Sequence, residues 1–193
     1  MGGMSPRAET RPGGRSARVR QAVYRAVQEL EAERGRAALT VPLVAARAGV
    51  TPSTVYRRWG DLQELLADVA VERLRPDTPP GDHGSLRADL EAWAEQLAEE
   101  MAAPVGRTYI RDALAGDPAA GGAARCSDYA AEQLTTIGTR AAGRGEAVPA
   151  VEALLDGVVA PIMYRILFRP DGLSPAYARR LVAAALDGVR PPS

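Results

Sequence analysis

The stretch AGVTPSTVYRRWG, residues 48–60, decides the fold. Gly49 precedes three hydroxyl residues (Thr51, Ser53, Thr54) interrupted by Pro52; Tyr56, Arg57, Arg58, Trp59 and Gly60 complete the run. Glycine stops a helix by taking up left-handed backbone that other residues resist. Thr51 caps a new helix, and Pro52 takes its first position, where a missing N–H costs nothing. Upstream, Thr40 N-caps Val41 to Ala48, with Pro42 tolerable in the first turn. The pattern predicts two short helices joined across Gly49, the second running to about Arg58, which is a helix-turn-helix.

The footing for this corner lies on its N-terminal side. From Arg18, apolar residues fall at Val19, Ala22, Val23, Ala26, Val27 and Leu30, an amphipathic stripe ending near Gly35. Val44, Ala48, Val50, Val55 and Trp59 are expected to face that helix, with Ala45 small where the helices cross. Pro52, Ser53, Thr54, Tyr56, Arg57 and Arg58 are left on the open side. Such a helix fits a major groove ~12 Å wide, where hydroxyls meet phosphates or base edges and arginine forks onto guanine or pairs with phosphate.

Charge agrees. The formal net charge is zero, but residues 1–60 hold eleven Arg against four Glu, or +7, and residues 61–193 hold thirteen Arg against twenty acids, or −7. A basic head on an acidic body points to a polyanion partner for the head alone. Cys126 is the only cysteine, so there is no internal disulfide. No apolar run reaches the ~18 residues of a membrane span, and residues 1–18 lack the apolar core of a signal peptide. A soluble, cytoplasmic chain with no membrane partner is expected.

Beyond residue 60, Asp61 and Glu64 form a D-x-x-E start for a helix through Leu74 with Leu62, Leu65, Leu66 and Val69 on its apolar face. The loop PDTPPGDHG, residues 76–84, breaks the chain. Leu86, Leu90, Trp93, Leu97 and Met101 mark the next helix, and Pro104 opens another through Ala115. Asp117-Pro118 opens a long helix to about Ala142. Residues 149–168 are apolar over most of a helix circumference, and a last helix spans about 174–188 with Tyr177, Leu181, Val182, Ala185 and Leu186. There is no strand pattern, repeat or sustained heptad. The reading is all-α with about nine helices: a disordered arm (1–14), a three-helix DNA-binding domain (15–60) and a helical-bundle regulatory and dimerisation domain (61–190). The 149–168 helix is either the core of that bundle or, with the last helix, the face that buries a second copy through Leu155, Val159, Ile162, Ile166, Leu181 and Ala185.

Residues 16–74 resemble the DNA-binding domain of the TetR family of transcriptional regulators. The family pattern is similar to T-V-x-x-I-A-x-x-A-G-V-S-x-G-T-L-Y-x-H-F; this chain reads TVPLVAARAGVTPSTVYRRWGDLQELL over residues 40–66. The resemblance implies DNA contacts from Thr40, Pro52, Ser53, Thr54, Tyr56 and Arg57, with Tyr56 on phosphate. Arg58 and Trp59 replace the usual His-Phe pair. Leu62 stands where the family often places a phosphate-binding lysine, so Arg18, Arg57, Arg58 or the N-terminal arm is left to compensate. RAAGRGE (140–146) and LLDGVVAPIMYRILFRPDGLSPAYARRLV (154–182) resemble the end of the ligand-binding domain in a common TetR-like C-terminal subgroup, whereas residues 86–139 match in helical pattern alone.

The resemblance implies a homodimer, Ω-shaped and all-α, acting most often as a repressor on a palindromic double-stranded DNA operator and released by a small-molecule effector. Candidate effector contacts are Trp93, Leu97, Met101, Tyr109, Tyr129, Met163 and Tyr164, a set that favours an apolar or aromatic ligand with few charges. No catalytic residue, metal or cofactor is expected. His83, the single histidine, with Asp82 and Cys126 falls short of a four-ligand metal set, and no nucleophile elbow, P-loop or dinucleotide fingerprint is present. Two rivals remain open: a helix-turn-helix protein governed by a protein partner or its own concentration, and a helical enzyme or carrier whose basic corner is incidental.

Overall fold

Local signals place most helix ends. In a computed structural model that describes residues 13–188, the α-helices are α1 (Gly13–Arg34), α2 (Val41–Ala48), α3 (Pro52–Trp59), α4 (Leu62–Arg73), α5 (Leu86–Ala102), α6 (Pro104–Ala115), α7 (Gly122–Gly143), α8 (Val151–Leu154), α9 (Ala160–Phe168) and α10 (Pro175–Asp187). A π-helical segment, Leu155–Val159, joins α8 and α9 into one rod, so the chain is all-α with nine helices among the described residues. Asp61 accepts from the Glu64 N–H at 2.9 Å and starts α4. Ser85 and Ser174 cap α5 and α10 in the same way. Two starts differ from expectation. Helix α1 begins at Gly13, inside the segment read as a disordered arm, the rest of which lies outside the described residues. Asp117 caps only a 3-10 turn, Pro118–Ala120, because Gly121 then turns left-handed (φ 70°) and α7 starts afresh.

The chain divides into two compact units, one ending at Val69 and one beginning at Ala70. The division falls inside α4 rather than at residues 60/61. The reason is packing: Leu65 and Val69 belong to the first core, while Ala70 and Val71 pack with Ala113 in the second unit. The first core joins Val23, Tyr24, Ala26, Val27 and Leu30 of α1 to Val41, Val44, Ala45, Val55 and Trp59, all buried. In the second, Leu90, Trp93 and Ala94 of α5 meet Leu134 and Ile137 of α7, Leu154, Val158, Ile162 and Ile166 of the rod, and Ala178 and Val182 of α10.

The rod shows how a sequence apolar all round is given a definite face. Its buried residues, Leu154, Val158, Ile162 and Ile166, recur every fourth position. At 3.6 residues per turn such a row drifts by about 40° per step. A π segment, bonded i→i+5, is wider and absorbs part of that drift. It lies just before Pro161, whose missing N–H and bulky ring disturb the α ladder there. Ile162 and Ile166 are therefore turned into the protomer's own core and present nothing to a partner, contrary to their expected place on a dimer face. At the other end of α5, Gly106 sits so close to the carbonyl of Glu100 and the Cα of Met101 that a Cβ would lie 2.2 and 2.9 Å from them. That closeness lets α6 fold back directly from α5.

One charged residue is buried in the second core. Asp89 accepts from the His83 N–H at 2.5 Å and from Arg144 at 3.1 Å, with Arg140 at 4.0 Å. Arg140 also donates to the Pro80 and Gly81 carbonyls at 3.0 and 2.6 Å, and Arg144 reaches Asp82 and Glu146. Glu146 in turn accepts from the Leu86 N–H at the start of α5. The loop 76–84 is thereby strapped to α5 and α7. Burial pushes the Asp89 carboxyl up, but the His83 N–H and the two arginines outweigh it and hold it below its ordinary value.

A carboxyl with a lowered folded pKa contributes stability that is full above the ordinary carboxylate range, about pH 4, and is lost as pH falls through the folded value. Asp89→Asn is expected to cost about 3 kcal/mol at pH 7 by leaving the arginines without their buried partner. Urea unfolding of both proteins should show this gap narrowing towards pH 3, where Asp89 itself is neutralised.

Candidate nucleic-acid interface and ligand cavity

The turn between α2 and α3 is fixed by backbone chemistry. Gly49 is left-handed (φ 68°, ψ 31°), its N–H bonds to Ala46 O at 3.2 Å, and the Val50 N–H bonds to Ala45 O at 3.0 Å. This is the Schellman arrangement that satisfies the last carbonyls of a helix. At the other end of α2, Thr40 accepts from the Leu43 N–H at 3.3 Å. Helix α2 is tied to α1 by Arg47, which donates to Glu33 at 2.6 and 2.8 Å and to Glu29 at 3.2 Å. Those contacts raise the Arg47 pKa and lower that of Glu33. Arg47 stands 14 and 18 residues from its two partners, so no local spacing in the sequence pairs them.

Helix α3 has eight residues and two anchors, Val55 and Trp59, both buried. The Trp59 indole N–H donates to Asp68 of α4 at 2.9 Å. The Tyr24 hydroxyl of α1 donates to the same oxygen, and the two rings lie 6.4 Å apart. One carboxylate thus pins α3 to both α1 and α4. With the anchors inward, Pro52, Ser53, Tyr56 and Arg57 are exposed and Thr54 half-buried. The Arg57 side chain makes no hydrogen bond or ion pair to any described residue, and nor does Arg18 on α1.

Two residues behave differently from expectation. Thr51 is at the N-cap of α3 but caps no N–H; its hydroxyl lies 2.9 Å from both the Ser53 and Thr54 hydroxyls. The three form a polar cluster at the start of the helix. Arg58 is turned back onto α1, where it donates to the Ser16 hydroxyl and carbonyl at 2.5 and 3.3 Å and lies 5.5 Å from the Trp59 ring centre. Its guanidinium is thus already engaged, unlike that of Arg57. Leu62 is half-buried against the first core, so the position read as lacking a phosphate-binding lysine serves packing instead.

The second unit holds a cavity of about 770 Å³, within the size range of small-molecule sites. Trp93, Leu97, Met101, Tyr129 and Met163, five of the candidate effector contacts, lie on its wall. Tyr109 and Tyr164 do not. Tyr109 packs beside Ala70 and Val71 with Arg73 against its ring, and Tyr164 is exposed at 55%. Leu155 and Val159, expected on a dimer face, line the cavity instead. Leu181 and Ala185 are half-buried against the core. The loop after α4 supplies another wall, residues 75–80, and the Gln133 amide holds its Thr78 carbonyl at 3.3 Å. Cys126 is also on the wall, where burial raises its thiol pKa.

A helix-turn-helix with an open, basic second helix, joined to a helical bundle with a ligand-sized cavity, defines a class of DNA-binding regulators. The comparisons agree. Residues 24–69 match the family model described as "Bacterial regulatory proteins, tetR family" and residues 80–185 the one described as "Tetracyclin repressor-like, C-terminal domain". The chain is 27% identical over 184 residues to the HTH-type transcriptional regulator YdeS of Bacillus subtilis (strain 168), covering 88% of this chain and 89% of that one. It is 35% identical over 97 residues to the regulator AqdR of Rhodococcus erythropolis, covering 50% and 47% of the two chains. The solved TetR family transcription regulator SCO0332 superposes with a TM-score of 0.61 at 29% identity, over 90% of this chain and 99% of that one. The protein belongs to the TetR family: it is a DNA-binding transcriptional regulator and not an enzyme.

The Asp68 bridge is open to test. Asp68→Ala leaves the Trp59 indole N–H and the Tyr24 hydroxyl without their acceptor, which is expected to cost about 1–3 kcal/mol of stability. DNA affinity should fall with it, measured at a temperature where the variant remains folded.

Proposed function

We propose that the protein is a cytoplasmic, homodimeric repressor that reads a palindromic operator through α3 and is released when a small molecule fills the cavity of its second unit. The observation that carries the reading is the open face of α3, with Tyr56 and an unengaged Arg57 projecting from a helix whose two apolar residues are buried. Ser53 and Thr54, and Thr40 at the start of α2, supply further groups for phosphate or base edges. Arg18 adds charge. Two such helices in a dimer fit half-sites ~34 Å apart on one face of the duplex.

The cavity is what favours small-molecule control over control by a partner protein: a solid bundle has nowhere to admit an effector. A ligand that binds one conformation better than the other shifts the population by its differential affinity, typically about 1–3 kcal/mol. For the dimer, the support lies on α9. Tyr164 and Phe168 are exposed at 55% and 70% with ring centres 5.3 Å apart. Exposed aromatics of this kind are the side chains that dominate buried interfaces. This assigns the partner face to Tyr164 and Phe168 in place of Ile162 and Ile166.

Arg57→Ala is expected to cost about 1–3 kcal/mol in operator affinity and to relax base preference if the guanidinium reads a base. If it meets only phosphate, the loss is the same on all sequences and the salt dependence becomes shallower. Titration of fragments from the promoter adjoining its own gene, at two salt concentrations, separates the two. No binding to any of them at low salt defeats the reading. Phe168→Arg should weaken self-association by about 2 kcal/mol or more, roughly thirtyfold in dissociation constant. Sedimentation equilibrium measures it.

A further inference from the structure

We propose that the cavity takes an organic carboxylate, with an apolar or aromatic body between α5 and the rod and its anionic end on Arg75 and Arg73. The proposal rests on the effector reading above and narrows it to a chemical class.

The polar groups on the wall fall into two sets. One set is already engaged within the protein: the Gln133 amide holds Thr78 O at 3.3 Å, and the Gln96 amide donates to the Glu100 carboxylate at 2.8 Å. Groups so occupied have little left to offer a ligand. The second set consists of donors without an anionic acceptor. The Arg75 guanidinium makes no hydrogen bond or ion pair to a described residue. Arg73 has a neutral partner only, the Tyr109 hydroxyl at 3.4 Å and its ring at 5.9 Å. Arg140, Arg144 and Arg179 of the same unit have a carboxylate within reach; among the arginines without one, Arg73 and Arg75 are those on the cavity wall.

Tyr129 adds a third donor. Burial, then the Glu72 charge, raises its pKa, so the phenol stays protonated at neutral pH. The Arg75 charge acts on it in the opposite direction, which places the two groups in the same region. Asp77 is the remaining carboxylate of the loop wall; like Arg73 and Arg75 it is exposed, at the mouth of the cavity, and it is paired with neither. Unmatched donors on the wall call for an acceptor, and a guanidinium matches a carboxylate bidentately. The rest of the lining suits more than a bare inorganic anion. Leu155, Val159 and Met163 are apolar, and burying them against a ligand requires an apolar body.

The test is calorimetric titration of the full chain with 2-naphthoate and decanoate, alongside their uncharged counterparts 2-naphthylmethanol and 1-decanol. The same titrations are run on Arg75→Gln and on Arg73→Gln/Arg75→Gln, with circular dichroism to verify their helicity. The proposal expects at least one acid to bind roughly tenfold or more tightly than its alcohol. It also expects the double variant to lose most of that preference while binding the alcohol unchanged. An alcohol that binds as well as its acid, or an acid indifferent to both variants, overturns the carboxylate assignment and leaves the effector cavity standing. If none of the four binds, the effector reading itself falls.

Discussion

Helix α3 is eight residues long, and a helix of that length does not persist in water by its own propensity. Its existence rests on the burial of Val55 and Trp59, one turn apart on the same side. Everything functional about the first unit follows from that constraint. Once those two residues point inward, the helical period places Pro52, Ser53, Tyr56 and Arg57 outward. The Trp59–Asp68–Tyr24 bridge then fixes the rotation of the helix about its axis, because an indole N–H reaches its acceptor in only a narrow range of orientations. The Schellman turn at Gly49 fixes the angle of entry. A reading head needs both fixed before a partner arrives, since ordering it on binding subtracts from affinity.

The second unit solves the opposite problem. Residues 151–168 are apolar on nearly every side, and such a helix has no preferred phase of its own. The π segment before Pro161 supplies one. It aligns Leu154, Val158, Ile162 and Ile166 with the core, Leu155, Val159 and Met163 with the cavity, and Tyr164 and Phe168 with solvent. Three surfaces of one rod thus meet three environments.

The difference between the units explains what could be read in advance. Where Gly, Pro, Thr and Ser punctuate the chain, element boundaries were legible: α2 runs Val41–Ala48 and α6 Pro104–Ala115, as their caps and prolines imply. The exposed set on α3 was legible because an amphipathic helix declares its own phase. The division of Leu155 and Val159 to the cavity wall and of Ile162 and Ile166 to the core was not, because phase in the rod depends on a change in helical geometry that no residue pattern marks. Asp68, Arg47 and the strap around Asp89 were invisible for a different reason. Each joins positions far apart in sequence (Tyr24 to Asp68, Glu29 to Arg47, Pro80 to Arg140), and no local spacing encodes such contacts. The loop 76–84 read as a mere break, yet its first residues form part of the cavity wall.

Arginine use ties these observations together. The chain has no lysine, so every cationic task falls to a guanidinium, and the tasks divide by environment. Arg47 and Arg58 brace the first unit, and Arg140 and Arg144 hold the loop strap of the second around a buried carboxylate. A planar fork suits such work, because it reaches two or three acceptors at fixed angles without losing its charge. Several other guanidinium groups meet no carboxylate among the described residues, and four of them stand exposed where a partner could reach them: Arg57 and Arg18 on the first unit, Arg75 and Arg73 on the cavity wall. A protein with equal numbers of acids and bases has no shortage of carboxylates to pair them with. At those places the chain keeps positive charge that its own acids do not neutralise, which leaves it free to meet an anion from outside.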